Sequence, residues 1–195
     1  AKETEQQAEE AEEHIQPLYT KKPYVVYVGI FLVVAAFSAV SSAIGLYTSS
    51  FAISRGISEA SAAFMFTVYN VGCVIGGAVF VIVLRYIKSQ TVLLMNCAVA
   101  FIAILAAMLI NTTPVYFVGL FIAGLFLGVL FSVIVSIATR IGYKRISVAS
   151  SLVATASGFA DFFTPVITGA VIASLGIDFS YIFALIMLAV CIIAA

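Results

Sequence analysis

The stretch ASSLVATASGFADFFTPVITGAVIASLG, residues 149–176, decides how the rest of the chain is read. It is long enough to cross a bilayer as a single helix, which takes about 20 apolar residues. Within it stand Asp161, the only acidic residue well inside any apolar segment, and Pro165 one turn later. Thr155, Gly158, Asp161, Pro165, Thr168 and Gly169 recur at steps of three or four and share one helical face. The opposite face is Leu, Val, Phe and Ile. A carboxylate in the hydrocarbon layer is costly, so such a group turns toward a bundle interior or a wet cavity. This face therefore predicts one wall of a polar pathway.

Composition places the whole chain in the same setting. Its 195 residues are 64% hydrophobic and 9% charged, with no Trp. Soluble domains carry ~25% charged residues, so this chain cannot cover a water-facing surface and reads as an integral membrane protein. The formal net charge of zero conceals a segregation: six of the nine acidic residues precede His14. No Lys/Arg stripe is interleaved with aromatics, which argues against nucleic-acid binding. Cys73, Cys97 and Cys191 each lie inside an apolar segment without a near partner in sequence. Neither a disulfide framework nor a metal site is expected from them. They read as small buried hydrophobes. No cofactor is expected. The sole histidine, His14, lies in the polar leading segment and reads as a surface residue.

Six apolar segments follow that leading segment, at about 24–49, 59–87, 91–110, 114–139, 148–175 and 179–195. Each approaches the length of a spanning helix. Lys2, Lys21, Lys22, Arg85, Lys88, Arg140, Lys144 and Arg145 fall on one side of this topology, and only Arg55 on the other. Basic residues concentrate on the cytoplasmic side, so residues 1–22 and the loops after the second and fourth helices are expected in the cytoplasm. The start without Met and the stop inside an apolar helix lead us to expect a longer polypeptide.

The six segments differ. The third and sixth are nearly uniform Leu, Ile, Ala, Met and Val and are expected mostly to face lipid, with Asn96 as the exception. The first, second, fourth and fifth carry small and polar stripes and are expected to form the core. A faint repeat links the halves of the chain. Phe37-Ser38 and Ser42 match Phe131-Ser132 and Ser136. Ile75, Gly77, Ala78 and Val79 match Ile167, Gly169, Ala170 and Val171. Two three-helix units in tandem enter the membrane from opposite sides, so the expected fold is all-α with two inverted repeats. In that register Tyr69 and Asn70 take the place of Asp161 and its neighbour.

On these residues the chain resembles the C-terminal half of a major facilitator superfamily transporter. The series Thr164-Pro165, Gly169, Gly176, Asp178 and Tyr181 is similar to the superfamily's eleventh helix and its exit loop. Arg85-Tyr86-Ile87-Lys88 resembles the basic loop between the eighth and ninth helices, with Leu84 where the fuller motif has Asp and Ile87 where it has Gly. The resemblance implies that the six helices are the seventh to the twelfth of twelve. Residues 1–22 would then end the linker joining the halves, and 23–195 would form the C-terminal membrane domain. It also implies a homologous N-terminal half as partner, a small-molecule solute, and a place in the plasma or inner membrane. The subfamily is not assigned.

Candidate site residues follow from position and chemistry. A carboxyl group in a low-dielectric site holds a proton more readily than in water and can exchange it when access alternates. Asp161 is the expected proton-coupling group. Tyr69 and Asn70 are candidate hydrogen-bonders for the solute, followed by Ser38, Ser41, Tyr47, Ser132 and Ser136. Pro165, Gly158 and Gly169 are candidates for a gate or hinge, and Arg85, Lys88 and Arg140 mark the basic loops. Gly72, Gly76, Gly124 and Gly128 read as packing glycines. No Lys or Arg lies deep in a helix, which favours a neutral or cationic solute. An intramembrane protease needs a second membrane carboxylate or a membrane histidine, and the chain has neither. A channel and a purely structural membrane subunit remain as alternatives of another class.

Overall fold

The structure is a computed structural model and describes residues 23–84, 86–110, 112–141 and 146–194. The leading segment 1–22, with His14 and its three lysines, lies outside the described residues. So do Arg85, Lys144 and Arg145. The described residues form seven helices: α1 (Pro23–Ser54), α2 (Glu59–Val83), α3 (Ser89–Ile110), α4 (Thr113–Leu127), α5 (Leu130–Ile141), α6 (Ile146–Leu175) and α7 (Phe179–Ala194). Helix is what an apolar chain adopts in a membrane, because each backbone polar group must be satisfied within the segment. Five stretches are long and apolar enough to cross: Tyr27–Ser54, Glu59–Phe80, Ser89–Ile110, Thr113–Arg140 and Ser147–Leu175. A shorter apolar helix, Phe179–Ile193, follows them.

The fourth crossing departs from the continuous helix expected over 114–139. It is interrupted at Gly128–Val129, and α4 and α5 are its two parts. The interruption falls where the Gly128 backbone is pressed on that of Cys73: a Cβ there would stand 2.5 Å from the Cys73 carbonyl oxygen. This contact belongs to a seam between α2 and α4 made of the two glycine pairs. Gly72 and Gly76 lie against Phe121 and Leu125, and Gly124 against Tyr69. Without side chains in between, the two backbones touch, which is how small-residue motifs drive association where lipid removes the hydrophobic advantage.

The principal neighbour relations survive exchange of the first three crossings with the last three. The second crossing packs on the fourth as the fifth packs on the first; the third packs on the fourth as the sixth packs on the first. The third and sixth meet each other. The architecture is therefore an all-α membrane fold of two inverted three-helix units. The residue register, however, is not the one suggested by the short sequence matches. Ser42 meets Asp161, whereas the matched Ser136 lies about three turns from Gly124, the residue beside Tyr69. Short matches in so biased a composition give the arrangement of helices and not their axial alignment.

At one end of the bundle, two left-handed glycines stop the parallel helices α1 and α6: Gly56 at φ 80° and Gly176 at φ 88°. A side chain at either would strain the backbone. Between the two exits, Arg55 Nη2 stands 2.9 Å from Asp178 Oδ1. The Arg55 guanidinium lies 5.1 Å from the centre of the Phe51 ring. Phe51 stacks on Tyr181 at 4.0 Å and meets Tyr116 edge-on at 5.9 Å. The Tyr181 hydroxyl donates to Thr48 Oγ1 at 3.3 Å. Through these contacts Gly176, Asp178 and Tyr181 together fasten the end of α6 and the start of α7 to α1. The ion pair is partly exposed and contributes little, about 0–1 kcal/mol; burial of the aromatic rings is the larger effect.

Cys97 on α3 and Cys191 on α7 are free and buried, as small apolar side chains would be. Cys191 Sγ lies 3.6 Å from the Val33 carbonyl oxygen of α1. Asn96 beside Cys97 is also buried, and neither its Nδ2 nor its Oδ1 has a partner among the described residues. The third helix is thus less lipid-facing than expected: Val92, Leu93, Asn96, Cys97, Ala100, Ala103, Ile104 and Ala107 form a full buried face.

Candidate functional site

The site is built on the seam where α6 crosses α1. Ala149, Val153, Ala156, Ala160, Thr164 and Thr168 recur at steps of three and four and are buried. They form the stripe that seats α6. Small residues in that stripe let the two helices approach closely enough for side chains at its rim to bond. Asp161 sits at the midpoint of the 30-residue α6, a position its helix start at Ile146 fixes. Its side chain is exposed on this chain, and Oδ1 accepts from Ser42 Oγ at 2.6 Å. One turn away Ser38 and Ser157 share a hydrogen bond of 2.9 Å between their hydroxyls. On the other side, Thr168 Oγ1 donates to Tyr47 Oη at 3.0 Å and lies 2.5 Å from the Thr164 carbonyl oxygen. The carboxylate is thus one rung of a ladder of hydroxyl contacts between two parallel helices.

Pro165 stands inside α6. It has no N–H to give to the carbonyl four residues earlier, and that carbonyl belongs to Asp161. The same residue therefore carries a side-chain carboxylate and a main-chain oxygen relieved of its helical donor. α6 runs unbroken through the proline from Ile146 to Leu175. Gly158 is exposed with open space where a Cβ would be, and Gly169 is half-buried with the Tyr47 hydroxyl nearby. Neither glycine is required by close packing, unlike those of the α2–α4 seam.

The remaining candidates separate into two groups. Asn70 is exposed on α2, and its Nδ2 donates to the Phe66 carbonyl of its own helix at 2.8 Å. Among the described residues it staples no other helix, and it presents its amide on the exposed face. Ser132 and Ser136 are exposed one turn apart on α5. Tyr69, by contrast, is buried. Its ring stacks on Phe66 at 6.3 Å, and its hydroxyl reaches Ser41 of α1 and Cys73 of its own helix. Tyr69 and the half-buried Ser41 are therefore neighbours in the α1–α2 contact. Ser38 and Tyr47 are partnered across α1–α6. Lys88 is exposed and Arg140 half-buried, both at the end of the bundle opposite Arg55. Arg85 lies outside the described residues. Sequence reading missed Ser42, Ser157, Thr164 and Thr168 as partners at the site. The spacing Ser38–Ser42 against Ser157–Asp161, four residues on each of two parallel helices, was the available signal.

Asn70 and Asp161 belong to the helices that the bundle covers least. In their most apolar windows α6 is 17% buried and α2 is 28% buried, against 56% for α1. The bundle thus leaves α2 and α6 open and sets α1 between them, in contact with both. Asn70 and Asp161 lie near the middle of those two open helices.

No curated protein matches the chain. The model of the Major Facilitator Superfamily matches residues 6–195. With the inverted six-helix architecture and the series from Thr164 to Tyr181 in place, this match establishes that the chain belongs to the Major Facilitator Superfamily, a family of membrane transporters.

Proposed function

We propose that this chain is the C-terminal six-helix half of a secondary active transporter that moves a small solute by alternating access and couples the movement to protons through Asp161. The observation that carries the reading is the placement of Asp161: mid-helix, exposed on the least-covered crossing, and held by a serine hydroxyl rather than a cation. A carboxylate left without a counter-ion at that depth is stabilised by taking up a proton or by meeting a cationic group of the solute or of the other half. Asn70, Ser132 and Ser136 complete an exposed polar surface for the solute, with Ser38, Ser41, Tyr47 and Tyr69 supporting it from the helix contacts. Pro165, Gly158 and Gly169 loosen α6 beside the carboxylate and serve as its hinge. Among the described residues, Arg55, Lys88 and Arg140 all lie near helix ends, so this half favours a neutral or cationic solute. Residues 1–22 are the cytoplasmic linker from the N-terminal half, and the membrane is the plasma or inner membrane.

Counterflow in vesicles tests the transport class. Vesicles carrying the intact protein are loaded with a panel of unlabelled neutral and cationic solutes, and entry of the labelled form is followed. A transient overshoot for one of them is expected, because a carrier exchanges solute without a gradient. Net flux without overshoot would show a channel, and no movement of any solute would show a structural subunit.

A further inference from the structure

The flank of the bundle between the third and fourth crossings carries a trough of about 430 Å³ that the transport reading does not use. Its floor is made of small residues, Ala103 and Ala106 on α3 and Gly119 on α4. Gly119 keeps the two helices close: a Cβ there would stand 3.0 Å from both the Ala103 carbonyl oxygen and the Ala107 Cβ. The walls are Val99, Ile102, Val115, Val118 and Ile122. All of them are β-branched, and such side chains are stiff at χ1, so the walls stand without folding inward. Ile102 and Val118 form the rims, 64% and 58% exposed. No polar side chain lines the trough.

Its place and direction say what fills it. α4 turns Gly124 and Gly128 to α2 and Gly119 to α3, so the trough lies on the flank away from the α2–α4 seam. It runs along the helices from Pro114, at the Arg55 end of the bundle, to Val99 and Ile122 nearer their middle. The step from Val99 to Ala106 rises about 10 Å, within one leaflet of a hydrocarbon layer ~30 Å thick. Beside Pro114, Thr112 and Thr113 are exposed, and the Thr112 side chain makes no capping bond to α4. Hydroxyls thus stand at the level of a lipid headgroup, with an apolar slot below them. A second copy of the chain fits less well: nine residues line the trough, against roughly 20–30 a side in a stable protein interface.

We propose that the trough binds one acyl chain of a membrane phospholipid from the leaflet at the Arg55 end. Lipid tails are as apolar as the walls, so burial alone gives no preference. Packing gives it. An unfilled trough forfeits the dispersion contacts of its floor, and an unbranched methylene chain laid along it restores them over the whole length. Only the membrane placement of these helices is needed, so the site stands or falls apart from the role of Asp161.

The test uses the intact transporter in phosphatidylcholine vesicles, a small share of the lipid carrying a diazirine in one acyl chain. After illumination the protein is digested and labelled residues are mapped by mass spectrometry. The reference is the sixth crossing, where Ile182 and Ile186 are 41% and 50% exposed. Labelling of Ile102, Val115, Val118 and Ile122 is expected to exceed theirs about fivefold, a preference of about 1 kcal/mol. Ala106→Phe, which fills the floor, is expected to bring it down to the reference level and to leave the sixth crossing unchanged; Ala106→Leu is the smaller replacement should the phenylalanine variant not fold. Equal labelling of the two surfaces in the unsubstituted protein would make the lipid an ordinary boundary solvent and overturn the proposal. Labelling of the sixth crossing with none in the trough would show that protein covers it, and would overturn it too. So would trough labelling that persists in the filled variant.

Discussion

Asp161→Asn is expected to abolish proton-driven accumulation of the solute and to leave solute exchange running. Asparagine is nearly isosteric, and its Oδ1 still accepts from Ser42, so the 2.6 Å contact between α1 and α6 has a replacement. What it loses is the carboxyl group. One elementary charge moved through 100 mV is worth about 2.3 kcal/mol, which corresponds to roughly fifty-fold accumulation for one coupled proton. The variant is expected to equilibrate a neutral solute to about one-fold under the same potential. Exchange needs only solute binding and reorientation, which do not draw on that energy. Accumulation unchanged in Asp161→Asn, in protein of normal yield, would remove Asp161 from the coupling mechanism and leave the six-helix fold as it stands.

The second large effect concerns stability. Gly76→Ala is expected to destabilise the protein by about 1–3 kcal/mol, with Gly76→Leu failing to give folded protein. A Cβ on Gly76 would press into the Leu125 carbonyl, and one on Gly124 into the Tyr69 carbonyl. These are backbone atoms, so no rotamer change relieves the clash and the helices must part. Gly77 is the control. It adjoins Gly76 on the same helix, yet a Cβ there meets nothing within 4 Å. Gly77→Ala is expected to be neutral or to stabilise by about 0.5–1 kcal/mol, the ordinary gain of alanine over glycine inside a helix. Thermal unfolding of the detergent-solubilised protein reads both. A fall of the midpoint in Gly76→Ala with none in Gly77→Ala is the expected pattern; equal shifts would contradict a backbone-to-backbone seam.

These two regions also show how the repeat is used. The two units place the fourth crossing on the second and the first on the fifth in equivalent ways. One contact is sealed by glycines, dry and without side chains between the backbones. Its counterpart is a ladder of hydroxyls around one carboxylate. Packing cost fixes the first, while hydrogen bonds that water can replace hold the second. Inverted repeats related by a shared architecture have thus diverged into a rigid contact and a polar one, and the proposed coupling group lies on the polar side.

Much of this was legible in the sequence because it is written in polarity. Asp161 and the threonines around it mark a face, and Gly72, Gly76, Gly124 and Gly128 mark another. Where polarity is uniform, the sequence is silent. The third and sixth helices are apolar on all sides, and lipid tails are as apolar as leucine, so nothing in their pattern says which side packs on protein. Shape decides that, which is why the buried face around Asn96 appeared only in the structure. The axial register of the repeat was hidden for the same reason. Tyr69 illustrates a further limit. A tyrosine in a membrane helix satisfies its hydroxyl equally through a solute or through Ser41, and composition does not distinguish them. Arg55 and Asp178, far apart along the chain, pair only because Gly56 and Gly176 end their helices at the same end of the bundle.

Water access to position 161 is the most direct measure of the central claim. In a transporter whose cysteines are replaced by alanine, Asp161→Cys is introduced and treated with a membrane-impermeant charged thiol reagent from each side in turn. Labelling from both sides, and its decrease when a transported solute is present, is the expected result. A cysteine at this position that reacts only with apolar reagents, from neither aqueous side, would place the side chain against lipid and contradict the account.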